Sequence, residues 1–411
     1  MAETRSRQVV IAGAGIAGLT AALAFAARGH PVKLFEQARQ LEAAGAGLQV
    51  SPNATRILRR LGVLDRLLPN AVRPNAVVLK DAASLRELAR VPLGQAGENR
   101  WGAPYLVAHR ADLQAALTAA LADASSVELV TGARVTNIAA MPQGIAVTAE
   151  TDGRSMEAAA GLLVGADGVW SSVRRQLAGK ETGFAGNGFS GELAWRATVA
   201  TESAAGQAFA AIGAGGCVTT FLHPGFHMVA YPVSKGRAVN LAAFTKGERI
   251  AEGWSGHADP AILSGAIRGT ASGLIKLVEL AGPWTAFPIH TVEQRRWTMP
   301  EGIALIGDAA HAMTPFAAQG AAMGIEDAAM LATLVADFPG DLVQGLTIWE
   351  NLRRPRIEKV LKRGALNRLA WHAWGPVAFA RNLVLATRPG ERLAADLDWL
   401  YGWEEKKVVR R

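Results

Sequence analysis

The residues with the clearest chemical purpose stand near the start of the chain. Gly13-Ala14-Gly15-Ile16-Ala17-Gly18 is a G-x-G-x-x-G run. It follows the short apolar segment Gln8 to Ala12 and opens the Ala/Leu-rich segment Ile16 to Arg28, which Gly29 ends. A strand, a glycine turn and a helix in that order suit a dinucleotide phosphate. Gly13 permits the tight turn, Gly15 lets backbone approach a pyrophosphate, and Gly18 lets helix and strand pack closely. The helix start adds free N–H groups and a positive dipole end. A second strand, Val32 to Glu36, ends on an acid about twenty residues further on, where ribose hydroxyls are bound. Gln37 follows it.

Two later segments have the same strand-then-turn character. Gly165-Ala166-Asp167-Gly168-Val169-Trp170-Ser171-Ser172-Val173-Arg174 follows the buried run Leu162 to Gly165. Gly307-Asp308-Ala309-Ala310-His311-Ala312-Met313-Thr314-Pro315 follows Ile303 to Ile306 and continues through Gln319-Gly320 to Glu326-Asp327-Ala328. Asp308, after a strand and before a Gly/Ala-rich helix entry, stands where backbone N–H groups can face a cofactor carbonyl. Asp167 also suits the N-cap of a helix starting near Trp170, and the two roles are compatible.

The elements that must hold these residues read as an α/β fold. Helices are expected over Asn53 to Leu61, Arg110 to Ala122 and Ala318 to Asp337. The segments Val127 to Val130, Ala133 to Ile138 and Ile145 to Glu150 read as a meander. From about Gly183 strands dominate, at Leu193 to Val199, Val218 to Leu222, Met228 to Val233 and Ala238 to Phe244. The expected architecture is a Rossmann-type dinucleotide-binding domain (an FAD-binding domain on the resemblance given below) with an antiparallel-sheet substrate domain and a C-terminal helical segment. Residues 1–75, 105–182 and 285–345 would form the first, 76–104 and 183–284 the second, and 346–411 the third.

Composition narrows the class. The 411 residues are 50% hydrophobic and 19% charged, which calls for a sizeable core. The net charge of +8 is scattered, with short runs such as Arg353-Arg354-Pro355-Arg356, and no nucleic-acid motif is present. Cys217 is the one cysteine, so no internal disulfide can form and a reducing compartment is natural. No secretory leader is expected, and no uncharged apolar stretch is long enough to span a bilayer. A cytoplasmic protein, monomer or homodimer, without a bound metal, is the expectation.

The three motifs, in this order and spacing, resemble the single-component aromatic hydroxylases of the flavin-dependent monooxygenase family, over nearly the whole chain. The resemblance implies FAD as cofactor, NADH or NADPH as a transient electron donor, and hydroxylation of a small phenolic or N-heteroaromatic acid with O2 through a flavin C4a-hydroperoxide. It assigns Gly13, Gly15, Ile16, Ala17, Gly18, Glu36, Gln37 and Gly47 to the cofactor's adenosine-diphosphate side and adjoining loop. It also assigns Arg110 to the phosphates, Asp167 and Gly168 to both cofactors, Asp308 to the ribitol chain, and Pro315, Gly320, Ala321 and Ala322 to the loop beside the flavin ring. A dehydrogenase or reductase of the same fold, without productive oxygen transfer, is the competing reading.

Such a reaction needs an electron-rich ring, hence a base near the phenol, and exclusion of water. His227 and Tyr231 are four apart on an expected strand and would face one pocket. This His-x-x-x-Tyr pair, with Ala318-Gln319-Gly320, resembles the salicylate and 3-hydroxybenzoate hydroxylase branch, so His227, Tyr231 and Gln319 are the catalytic candidates. His227 and Tyr231 could equally be ordinary half-buried strand residues, or could line the pocket without catalysing anything. Arg196 could pair with a substrate carboxylate or form a surface ion pair. Gly45-Ala46-Gly47-Leu48-Gln49 resembles the family's flavin-side loop, with Gln49 toward the substrate, as is Pro315. His311 reads as packing under the cofactor. Trp349, Trp371, Trp374, Trp399 and Trp403 read as helix packing or a subunit interface.

Overall fold

The strand Val9–Ala12 is buried at every position, and so is Leu162–Gly165. Runs with no polar alternation belong inside a parallel sheet covered on both faces. In the computed structural model, which describes residues 7–41, 47–178, 186–248 and 259–405, they pair in parallel at the centre of a six-stranded sheet. Its order is Thr298–Met299, Ile303–Leu305, Leu162–Gly165, Val9–Ala12, Val32–Glu36, Val127–Thr131, and only Thr298–Met299 runs antiparallel. The helix Ile16–Ala26 crosses between the first two strands in chain order and packs on Gly320–Asp337. All three glycine-bearing motifs therefore follow neighbouring strands and meet at one edge of the sheet.

The second sheet has seven strands in the order Thr285–Val292, Asn187–Ala200, Ala238–Lys246, Phe226–Val233, Val218–His223, Ala76–Asp81, Glu87–Pro92. Neighbours are antiparallel except Val218–His223 beside Ala76–Asp81, which is parallel. Side chains alternate between its faces. Trp195, Phe226, Met228, Leu241 and Ala243 build a core on one face under the helices Ala204–Ile212 and Ser272–Leu280. Arg196, Val229, Tyr231, Ala242 and Phe244 occupy the other face and look toward the first sheet.

Three sequence expectations change. Thr285–Val292 pairs with Asn187–Ala200, so the return to the first sheet comes near Thr298 rather than at residue 285. Val127–Thr131 leaves the expected meander to pair in parallel with Val32–Glu36. The three-stranded antiparallel sheet is Ala133–Met141, Gly144–Thr151 and Arg154–Ala160 instead. The re-pairings of Thr285–Val292 and Val127–Thr131 are long-range, which local pattern does not encode. Beyond the sheets, the 30-residue helix Leu342–Trp371 holds Pro355 in its interior and leads to Gly375–Thr387. No described helix is long and apolar enough to cross a membrane.

Candidate active site

The glycine turn shows why each glycine is needed. A Cβ on Gly18 would stand 1.8 Å from the Gly13 carbonyl oxygen, so the helix start could not seat against the turn. Gly13 has φ +99°, and its missing Cβ leaves room for the Ala166 carbonyl. Gly15 differs: nothing lies within 4 Å of where its side chain would be, and it opens on a cavity of about 420 Å³. Ile16, Ala17, Glu36, Gln37, Gly47, Arg110, Asp167, Gly168, Asp308, Pro315, Gly320 and Ala321 line the same cavity. Gly18 and Ala322 do not; they pack behind it. The Glu36 carboxylate accepts from the backbone N–H of Ala14 at 2.7 Å and Ala38 at 2.9 Å, which pins the acid beside the turn.

Asp167 takes the N-capping role: its carboxylate accepts from Ser172 N at 2.6 Å and Val173 N at 3.1 Å, opening the helix Ser172–Ala178. It lines the cavity while doing so. Asp308 is exposed to the cavity and has no hydrogen-bond partner among the described residues. Arg110 likewise faces it without an ion-pair partner among them.

Behind the Gly307-Asp308 turn lies a buried polar network. The Asp327 carboxylate accepts from Gly307 N at 2.9 Å, meets His311 Nε2 at 2.6 Å, and accepts from Arg353 Nε at 2.7 Å. Burial pushes its pKa up, but the His311 and Arg353 charges and the Gly307 N–H outweigh that and hold it at about 2. Glu326 accepts from Arg353 at 2.6 Å, Arg356 at 2.7 Å and Asn53 at 2.7 Å. His311 thus belongs to the scaffold. So does the side chain of Gln319: it is 1% exposed, its amide donates to Ser51 Oγ at 3.0 Å, and its oxygen faces Asn53 at 3.3 Å. Gln319 borders the cavity, yet its functional group is spent on holding the loop, which also carries Ala318 at φ +50°. The expected role of Gln319 is catalytic; the structure has its side-chain amide and oxygen facing Ser51 and Asn53. Ser51, Asn53 and Arg353 were not singled out as site residues, and only the Ser51-Pro52-Asn53 helix start hinted at two of them.

The substrate-sheet face supplies the other wall. Arg196 lies 5.1 Å over the Phe287 ring, lines the cavity, and has no carboxylate partner among the described residues. Burial first, and Arg110 second, lower its pKa, opposed by Tyr231. Tyr231 lines the cavity too, and burial pushes its pKa up so that it stays protonated. Gln49 lines the cavity and accepts from the Tyr105 hydroxyl at 2.6 Å. Gly45 and Ala46, from the expected flavin-side loop, lie outside the described residues.

His227 does not share that pocket. It is on the same strand face as Tyr231, but it is 1% exposed, with its ring stacked on Phe244 at 4.5 Å and Phe316 and Trp371 at 4.9 and 5.0 Å. The strand pattern gave the face correctly; the end of the helix Leu342–Trp371 closes over that end of it. His227 Nδ1 meets His372 Nε2 at 3.1 Å. Burial, then His372, lowers the His227 pKa well below its usual value. Burial, then Arg368, Lys246 and His223, lowers that of His372 to about 4. Both imidazoles are neutral at neutral pH, one donating and one accepting. Nothing in the sequence around His372 signalled this partner.

The cavity fits FAD on its own evidence. A helix start stripped of side chain at Gly15 and an unpaired Arg110 suit phosphates, and an unpaired Asp308 suits a polyhydroxyl chain.

Comparison with known proteins agrees with this geometry. The family model described as FAD binding domain matches residues 6–363. The chain is 33% identical over 409 residues to 3-amino-4-hydroxybenzoate 2-monooxygenase PtmB3 of Streptomyces platensis, covering 98% of each. It is 30% identical over 397 residues to 3-hydroxybenzoate 6-hydroxylase of Polaromonas naphthalenivorans, covering 96% of each. Among solved structures, Klebsiella pneumoniae HpxO complexed with FAD and uric acid superposes with a TM-score of 0.80 at 26% identity, covering 95% of each chain.

Proposed function

The chain belongs to the FAD binding domain family, together with these aromatic monooxygenases, and from that premise we propose that it hydroxylates a small aromatic acid using FAD, NADH or NADPH, and O2. The observation that carries the substrate class is Arg196: a guanidinium in the cavity wall, opposite the FAD side, with no carboxylate of its own chain to meet it among the described residues. A cation held there is poorly solvated, and a ligand carboxylate offers it two parallel charge-assisted hydrogen bonds.

The turn Gly13 to Gly18, Arg110 and Asp308 would hold the cofactor's phosphates and ribitol chain. Bound FAD supplies the two-electron chemistry that makes an electrophilic oxygen from O2. The chain's own residues bind and orient the ring that receives it. Arg196 fixes the carboxylate end. Tyr231, protonated and on the same face, orients a ring hydroxyl. The neutral His227–His372 pair, buried behind Phe244, braces the far end of that face rather than meeting the ring. Phe244, Phe316 and Trp371 keep water from that end.

The test is a panel of hydroxybenzoates and their benzamide counterparts, read by substrate-stimulated NADH oxidation and product mass spectrometry. Acids should stimulate oxidation and yield a product one oxygen heavier, and amides should not. Oxidation without oxygenated product would leave a reductase; equal turnover of amides would remove Arg196 from the substrate site.

A further inference from the structure

Asn240 stands on the strand Ala238–Lys246 opposite Tyr231, and it is 2% exposed although it lines the cavity. Its Oδ1 accepts from the backbone N–H of Gly47 at 2.7 Å. That contact needs the glycine: a Cβ on Gly47 would lie 2.3 Å from the Asn240 Cγ. An N–H can meet only the oxygen of a side-chain amide, so Gly47 fixes which way the amide turns. The Nδ2 group is left with no partner among the described residues. A buried donor left unpaired is destabilising until a ligand acceptor meets it.

The rest of that wall says which ligand. The substrate sheet gives the cavity three polar side chains, Arg196, Tyr231 and Asn240. Arg196 only donates, and burial keeps the Tyr231 hydroxyl protonated. The carboxylates that line the cavity, Glu36, Asp167 and Asp308, stand at the cofactor motifs, and no histidine lines it among the described residues. This wall therefore offers hydrogen-bond donors and a positive charge, and no base of its own. Arg196 pairs with Ala242, two residues along from Asn240, so Arg196 and Asn240 are diagonal neighbours. Diagonal neighbours on one face stand about 7–8 Å apart, a spacing one substituted benzene ring bridges.

We propose that Asn240 is a substrate-contacting residue: its Nδ2–H, beside the Tyr231 hydroxyl, binds the hydroxyl oxygen of a phenolic acid whose carboxylate lies on Arg196. The proposal rests on the aromatic-acid reading above and adds how the ring oxygen is recognised. Two neutral donors and a nearby cation favour phenolate over phenol, so the ring becomes electron-rich without a dedicated base.

The test uses the full chain loaded with FAD and the three monohydroxybenzoates beside benzoate, with affinity read by calorimetry. Asn240→Asp keeps an oxygen for the Gly47 N–H and loses the donor; Asn240→Ala loses both. Asn240→Ala should release FAD faster on dilution, and Asn240→Asp should not. Wild-type protein should prefer one hydroxybenzoate over benzoate, and Asn240→Ala should cut that preference by about tenfold. Both variants should raise the pH at which the bound phenol ionises by about one, read from its ultraviolet difference spectrum. An ionisation pH unmoved in Asn240→Asp would leave Asn240 a brace for Gly47 and overturn the proposal. So would a wild-type protein that binds hydroxybenzoates no better than benzoate. Wild-type protein that binds none of the four acids would overturn the aromatic-acid reading itself.

Discussion

Replacing Arg353 by Met tests whether the buried network, rather than the cavity lining, sets the shape of the cofactor turn. Arg353 is fully buried and bonds Asp327 at 2.7 Å and Glu326 at 2.6 Å. Removing one partner from a buried ion pair costs about 3–5 kcal/mol, because a charge is left without compensation. Here each carboxylate keeps a second cation or imidazole, Arg356 on Glu326 and His311 on Asp327, which sets the expectation near the lower end, about 3 kcal/mol. The loss should also depend on pH. Asp327 is held at about 2 in the folded protein against an ordinary 3.8. Its contribution is therefore complete above the unfolded value and lost as pH falls from 3.8 toward 2. Without Arg353 its folded pKa rises, so the acid loss begins at higher pH. Urea unfolding of the FAD-loaded protein across pH measures both. A cost below about 1 kcal/mol, or an acid limb that does not move, would refute the reasoning.

Asp308→Ala should weaken FAD retention at least tenfold, about 1.4 kcal/mol, read by flavin release on dilution; full retention would remove the ribitol role. Gly18→Ala places a Cβ 1.8 Å from the Gly13 carbonyl oxygen, so it should cost about 1–3 kcal/mol in thermal unfolding and lower flavin loading. Arg196→Gln should raise the dissociation constant for an aromatic acid by about 1.5–3 kcal/mol while leaving the matched amide unchanged, measured by flavin absorbance titration. The His227–His372 pair predicts an acid-sensitive pocket. The folded His372 titrates at about 4 instead of 6.5, so the folded protein binds fewer protons and its stability falls as pH drops from 6.5 toward 4. His372→Phe should flatten that part of the profile in a melting-temperature series.

What the sequence could reveal depended on how locally each feature is encoded. The turn Gly13 to Gly18, the helix Arg110–Ala122 and the strands Val32–Glu36 and Leu162–Gly165 are written in neighbouring residues, and the structure has them within a residue or two. Thr285–Val292 is no less a strand, but its partner is some ninety residues back, and no local pattern announces that pairing. The same distinction separates Tyr231 from His227. Strand alternation places both on one face, and that much is local. Which of them meets the cavity is decided by Phe316, Trp371 and His372, which arrive from elements far along the chain. Gln319 makes the point in reverse: its motif suggests reactivity, and its contacts with Ser51 and Asn53, more than 260 residues away, make it a brace. A motif therefore reports that a loop must have a given shape. Whether its polar residue faces the ligand or holds the loop depends on whether distant donors and acceptors satisfy it. By that criterion Asp308, Arg110 and Arg196, polar groups lining the cavity that the described chain leaves unsatisfied, are where ligands are to be sought.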